Sequence, residues 1–257
     1  IRLARDLRYA PQYRELSVVF QPKLDLASGE VRQVEALMRW KHSELGVIGP
    51  DEFITLAEQT GSIGMLTQWM MAAVLSQLRS WIDRGIHLQV AMNISARDLD
   101  DPAFPQRMER MLRAQQISPD YLSLEVTESA VMRDPQRSLD SLLALRELGI
   151  ALAVDDYGTG YSSLATLKSL PVQDLKIDKS FVLQLADNSD DAVIVKSTIE
   201  LAHNMGLKVI AEGIENARSL SWLKERHCDV AQGYFISRPL PAADLERWMA
   251  ETRGTFV

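Results

Sequence analysis

The sequence predicts an α/β fold, a modified (β/α)8 TIM-type barrel whose first strand is antiparallel to its neighbour. Eight short runs rich in Val, Ile and Leu recur along the 257 residues. Amphipathic stretches of helical length separate most of them, and only a short polar link separates the first two. Eight strands with outer helices in about 250 residues is the size and rhythm of a closed barrel.

The first run, residues 16–24, and the second, 31–37, are joined by residues 25–30, which contain Ser28-Gly29. A link this short closes a hairpin, so the pair is antiparallel. Further strand-like runs follow at 88–94, 122–127, 151–155, 174–177, 208–212 and 230–234. Helical patterns at 64–83, 103–115, 138–148, 192–205, 217–226 and 242–252 supply crossovers, which make the later strands parallel. Met70, Met71, Met108, Met111, Trp69 and Trp81 fall on these helical patterns and read as packing residues. Periodicity does not display closure, which leaves an open doubly wound sheet as the alternative. No Pro/Gly/Ser-rich linker, charge block or repeat breaks the series, so residues 1–257 read as one domain. The chain starts at Ile1 without an initiator Met, the pattern expected of a module of a longer protein.

Composition narrows the function classes. At 46% hydrophobic and 25% charged residues the chain is ordinary globular protein, which excludes disorder and collagen. Lys and Arg number 28 against 35 Asp and Glu, a net charge of -7 that argues against polymeric nucleic acid and anionic membrane as partners. The single Cys228 cannot form an internal disulfide, so a reducing, cytoplasmic compartment is expected. His42, His87, His203 and His227 are scattered, without zinc-ligand spacing. The longest apolar runs fall short of about 18 residues, so no membrane contact is expected of this domain.

Polar residues close the apolar runs: Glu35, Asn93, Glu125, Asp155, Lys176, Glu212 and Gln232. Any one of them has a local explanation as a cap, an Asx turn or a solvated strand end. Together, at the C-terminal mouth of a barrel, they converge on the place where such folds hold their chemistry. Carboxylates crowded in this way raise one another's pKa unless a cation intervenes. An all-oxygen donor set selects Mg2+ or Mn2+. Adjacent Asp155 and Asp156 suggest two ions sharing a ligand, the arrangement used for in-line displacement at phosphorus. Lys176 also admits a Schiff-base reading, which leaves the carboxylates without a role. Gly158-Thr159-Gly160 lacks the Walker lysine and the third dinucleotide-binding glycine, and reads as a mobile loop over the site.

At Glu35-Ala36-Leu37 the sequence resembles the EAL-domain family of cyclic di-GMP phosphodiesterases. The likeness spans almost the whole chain, through Phe20-Gln21-Pro22, Glu35-Ala36-Leu37-Met38-Arg39-Trp40, Asn93-Ile94-Ser95 and Glu125-Val126-Thr127-Glu128-Ser129. It continues through Asp155-Asp156-Tyr157-Gly158-Thr159-Gly160-Tyr161-Ser162-Ser163, Lys176-Ile177-Asp178, Glu212-Gly213-Ile214-Glu215 and Gln232-Gly233-Tyr234.

The resemblance implies hydrolysis of cyclic di-GMP to linear pGpG with two Mg2+ or Mn2+ ions. Glu35, Asn93, Glu125 and Asp155 would hold one ion, and Asp155 and Asp156 the second. Glu212 would be a further ligand or orient the attacking water, and Lys176 would contact that water and steady developing charge. Gln21, Arg39, Glu215 and Gln232 match positions near the nucleotide, and Glu128 matches the glutamate that holds the 155–163 loop. A homodimer, and a sensor or GGDEF-type domain elsewhere in the full-length chain, are also implied. Every implied ligand position is filled. Tyr157 and Met38, which replace the family's usual Phe and Leu or Val, keep size and apolar character. The alternative is a catalytically silent receptor for cyclic di-GMP, with the same fold and pocket.

Overall fold

The link between the first two strands sets how the barrel opens. In the computed structural model, which describes residues 2–158, 164–183, 185 and 189–252 and omits the side chains of 164 and 165, β1 (Leu16–Asp25) and β2 (Val31–His42) form an antiparallel pair with Gln21 opposite Glu35. Asp25 Oδ1 accepts from the Ser28 amide at 2.7 Å and the Ser28 hydroxyl at 2.8 Å, and Gly29 turns the chain at φ 72°. A connection of this length has no room for a crossover helix.

β3 (Gly46–Ile48) folds back on the far end of β2, and the remaining strands are β4 (Gln89–Ile94), β5 (Leu122–Thr127), β6 (Ala151–Tyr157), β7 (Asp174–Ile177), β8 (Lys208–Ala211) and β9 (Val230–Ala231). From β2 through β4, β5, β6, β7, β8 and β9 each neighbour is parallel. β1 closes the ring by pairing antiparallel with β9 as well as β2. The result is the expected closed eight-strand barrel, with β3 as an additional ninth strand outside the ring.

The region around the outer end of β2 differs from the sequence reading, as does β3, which was not expected. β2 runs five residues beyond residue 37, because Trp40 and His42 keep the buried face of the alternation while Lys41 points to solvent. Its pairing with β4 ends at Ala36, so the outer part of β2 leaves the wall and pairs with β1 and β3 instead. The unexpected helices Arg2–Tyr9 and Pro50–Thr60 cover that extension. There Leu7, Ala10, Leu16, Trp40, Ile48, Phe53 and Leu66 form a small core of their own.

The main core lies between the barrel wall and its helices. Helix Ile63–Asp83 buries Leu66, Met70, Met71, Val74, Leu75, Leu78 and Trp81 at helical spacing. Trp81 packs edge-on against Phe20 of β1 with ring centroids 4.9 Å apart. Met108 is fully buried, whereas Trp69 and Met111 are only partly so, which bears out their reading as packing residues. Truncating one of these large buried side chains, as in Leu78→Ala, costs about 2–5 kcal/mol. That rigidity keeps the strand ends fixed. Among the described residues, no helix is long and apolar enough to cross a membrane.

Candidate active site

Inward-facing residues along parallel strands follow a period of two, and in β4, β5 and β6 the polar mouth residue stands two positions past a small one. Ala91 precedes Asn93, Ser123 precedes Glu125, and Ala153 precedes Asp155. The small layer below leaves width for long side chains above it. Into that space projects Lys176 of β7, 1% exposed. Its ammonium donates to Glu125 Oε2 at 2.5 Å, Asp155 Oδ2 at 3.0 Å and Glu212 Oε1 at 2.7 Å, with Glu35 Oε1 at 3.8 Å. Four carboxylates from four strands or their ends thus surround one lysine.

Around this centre the amides complete a network. Asn93 Nδ2 donates to Glu35 Oε1 at 2.8 Å, and Gln232 Nε2 donates to Glu35 Oε2 at 2.6 Å and to Gln21 Oε1 at 3.1 Å. Gln21 in turn donates to the Ser237 carbonyl at 3.1 Å. The Gln232 Oε1 atom is buried without a hydrogen-bond partner among the described residues. Both ends of the Glu35 carboxylate are therefore fixed by amides from β4 and from the end of β9.

Asp155 and Asp156 reach the same mouth by a break in β6. Successive strand residues normally face opposite sides. Between the pairs Val154–Leu175 and Tyr157–Ile177, β6 carries one residue more than β7. Asp156 absorbs the bulge in the left-handed region at φ 54°, where only a well-braced non-glycine residue persists. Ligand atoms of Asp155, Asp156 and Glu212 then all lie within 4.8 Å of one another.

The electrostatics follow from burial and proximity. Burial and the neighbouring Asp155 and Glu35 push Glu212 up to about 8, although Lys176 pulls the other way. Burial, Asp155 and Asp178 raise Asp156 to about 6. Burial also raises Glu35, opposed by Lys176. Glu125 goes the other way. Burial disfavours its charge, but Lys176 and Lys23 outweigh that and hold it at about 2. Desolvation works against the Lys176 charge, yet Asp155, Glu125, Glu212 and Glu35 raise its pKa well above the usual lysine value.

The cavity above this floor measures about 740 Å³ and is lined by Gln21, Arg39, Asn93, Asp155, Asp156 and Tyr234 among others. That is ample for a small organic ligand. Glu35, Glu125 and Lys176 lie beneath it, each at most 5% exposed. Arg39, half-buried on the wall, anchors one end of its guanidinium on the Met38 carbonyl at 2.8 Å, and burial lowers its pKa below the usual arginine value. Arg238 stacks over the Tyr234 ring at 4.3 Å from its centroid.

Of the residues singled out in the sequence, Gln21, Glu35, Asn93, Glu125, Asp155, Lys176, Glu212 and Gln232 meet in one network, with Asp156 beside it. Glu35 is not at a strand end. It sits mid-strand in β2, at the level where β2 leaves the wall. Glu128 is buried and accepts from the Gly158 amide at 3.1 Å. Residues 159–163 of the loop it was expected to hold lie outside the described residues. Glu215 is exposed, three residues past Glu212, and belongs neither to the buried network nor to the cavity lining.

Sequence reasoning passed over two site residues. Lys23, two positions past Gln21 on β1, is buried and donates to Glu125 Oε1. A lysine on the buried face of a strand was the available signal. Asp178, which caps the next turn by accepting from the Ser180 amide at 3.0 Å, adds negative charge beside Asp156.

Comparison with known families matches the EAL domain over residues 4–239. The chain is 41% identical over 254 residues to cyclic di-GMP phosphodiesterase NbdA of Pseudomonas aeruginosa, covering 98% of this chain and 32% of that protein. It is 36% identical to cyclic di-GMP phosphodiesterase PdeR of Escherichia coli, covering 96% of this chain and 37% of that one. The solved PaMucR phosphodiesterase in complex with c-di-GMP superposes with a TM-score of 0.91 at 39% identity, covering 95% of this chain and all of the other. The chain spans about a third of the length of these curated relatives.

Proposed function

The chain belongs to the EAL domain family, and from that premise we propose that it hydrolyses one phosphodiester of cyclic di-GMP to give linear pGpG, with divalent metal. The observation that carries the proposal is the convergence of Glu35, Glu125, Asp155 and Glu212 on Lys176 at the floor of a cavity whose wall presents Arg39. The donors are carboxylate and carboxamide oxygens with no Cys or His among them, which suits Mg2+ or Mn2+. The lumen also holds more carboxylates than its two lysines balance, as the upward shifts of Glu212 and Asp156 reflect.

Glu35, Asn93, Glu125 and Asp155 would hold one ion, and Asp155 and Asp156 a second. Bound there, such ions supply Lewis-acid polarisation of a phosphoryl oxygen and a water acidic enough to attack at neutral pH. The chain's own residues do the rest. Arg39 offers a planar fork to a phosphate oxygen, a geometry lysine does not reproduce. Lys176, fixed by its carboxylates, places a permanent positive charge where negative charge develops. Glu212, whose burial favours a bound proton, orients the attacking water or takes its proton. Gln21, Gln232 and Glu215 offer polar groups to the guanine and ribose edges, and Glu128 steadies the loop beginning at Gly158.

The relatives' greater length supports reading residues 1–257 as one domain of a longer cytoplasmic signalling protein. One of them, MucR of Pseudomonas aeruginosa, bears the name of a bifunctional diguanylate cyclase/cyclic di-GMP phosphodiesterase, which supports a GGDEF-type or sensor partner domain. A homodimer, which the family resemblance implies, belongs to the same reading.

The test is chromatographic detection of pGpG from wild type, Glu35→Ala and Asp155→Ala with Mn2+. Both variants are expected to lose turnover while keeping their fold by circular dichroism. Unchanged turnover in either would remove the two-metal reading.

A further inference from the structure

The barrel lumen holds a second buried ammonium that the mouth chemistry does not use. Lys23 is 2% exposed and shares the inner face of β1 with Gln21. β1 and β5 are not neighbours in the ring, so its contact with Glu125 crosses the lumen. Lys23 donates to Glu125 Oε1 while Lys176 donates to Oε2 at 2.5 Å. The Glu125 carboxylate, with no exposed surface, is thus gripped through both oxygens from opposite sides.

Deeper in the lumen stands Asp174, two residues before Lys176 on β7 and 8% exposed. Burial pushes its carboxyl up to about 6, with Lys23 and Lys208 pulling it down. Lys23 therefore stands between an acid of the deep layer and an acid of the mouth. An isolated buried carboxylate would be free to turn about its side-chain torsions and would lack a partner for one oxygen. Hydrogen-bonded outer groups are what hold such a ligand in place, and their removal commonly weakens ion binding by about 10–100-fold.

We propose that Lys23 is a positioning residue that fixes the Glu125 carboxylate for divalent-cation binding at the mouth, acting through Glu125 alone. This rests on the metal-dependent reading given above. Loss of the Lys23 charge by itself would also relieve repulsion of the incoming ion, an effect of opposite sign. The informative variant is therefore Lys23→Met combined with Asp174→Asn, which removes one positive and one negative charge and nearly preserves shape. Lys23 and Asp174 influence each other through their charges, so the two substitutions together hold the charge balance and volume of the lumen while removing the Lys23 hydrogen bond to Glu125.

Mn2+ affinity is measured by isothermal titration and by the EPR signal of free Mn2+, without substrate. Wild type, the Lys23→Met/Asp174→Asn variant, Glu125→Gln and the combination of all three substitutions form a double-mutant cycle. The expected result is Mn2+ binding weakened about 10–100-fold in the Lys23→Met/Asp174→Asn variant, with no further weakening when it is added to Glu125→Gln. Lys23→Arg, which keeps a cation and a donor, is expected to recover most of the loss and serves if the paired substitution does not fold. Unchanged affinity in the paired variant, or the same loss with Glu125→Gln already present, overturns the proposal; so does Lys23→Arg binding as weakly as the paired variant. Absence of Mn2+ binding by wild type instead sinks the metal reading itself, so the two failures are distinguishable.

Discussion

Replacing Lys176 by Met is the perturbation whose consequences the geometry fixes most tightly. The ammonium is 1% exposed and lies within 4 Å of carboxyl oxygens of Glu35, Glu125, Asp155 and Glu212. Methionine keeps the volume and removes the charge. Breaking a buried ion pair by deleting one partner costs about 3–5 kcal/mol. In a domain of this size each kcal/mol lowers Tm by about 2–4 °C, so a fall of about 6–20 °C is expected in EDTA. Divalent ions address the same carboxylates and take over their compensation, so most of that fall is expected to vanish in saturating Mn2+. Activity is expected to stay lost in both conditions under the role proposed for Lys176 in the reaction. Differential scanning calorimetry of wild type and Lys176→Met, each in EDTA and in Mn2+, reads the contrast. An equal fall in both conditions, or none in EDTA, would refute the claim that the lysine and the ions share one set of ligands.

Three further outcomes follow from the site. Arg39→Ala removes a charged hydrogen bond to phosphate worth about 1.5–3 kcal/mol, so steady-state kinetics should show KM raised about 10- to 100-fold with a smaller change in kcat. Glu128→Ala and Gly158→Ala should each lower activity while leaving Mn2+ affinity intact. The first frees the Gly158 amide, and the second forces a side chain onto the Phe181 ring at 3.1 Å and φ 99°. The pH dependence without divalent ions is signed by the carboxyls. Glu125, held at about 2, adds stability that is lost as pH falls from its ordinary 4.5 through 2. Asp156 and Asp174 at about 6 and Glu212 at about 8 bind protons in the fold, so stability falls as pH rises from 3.8, the ordinary aspartate value, towards 8. Urea melts from pH 2 to 8 should show a maximum at about pH 3.5 to 4 in EDTA, where the gain from Glu125 and the losses from the three raised carboxyls balance, and a flatter profile in Mn2+.

What the sequence made legible is what period and spacing encode. The eight ring strands and the hairpin entry follow from alternation and from a link too short to cross over. The mouth residues of the parallel strands are legible because those strands all end on one face. β1 runs the other way, so a search of C-terminal strand ends passes over its inner face, and Lys23 with it. Alternation alone would also send Asp155 and Asp156 to opposite sides of β6. Their convergence depends on the bulge and the left-handed Asp156, which no local propensity announces. β3 and the outer half of β2 were hidden because Arg39 and Lys41 interrupt the apolar run, although Trp40 and His42 continue its buried face. Glu215 entered through family resemblance only; it is exposed, outside the buried network and not among the residues that line the cavity.

Turnover of cyclic di-GMP by the wild-type chain, followed as pGpG by anion-exchange chromatography in EDTA and then after Mn2+ is restored, tests the central claim most directly. Product that is absent in EDTA and appears with Mn2+ is the predicted result. No product at saturating Mn2+ and high enzyme concentration, with cyclic di-GMP still bound, would contradict it and make the domain a receptor.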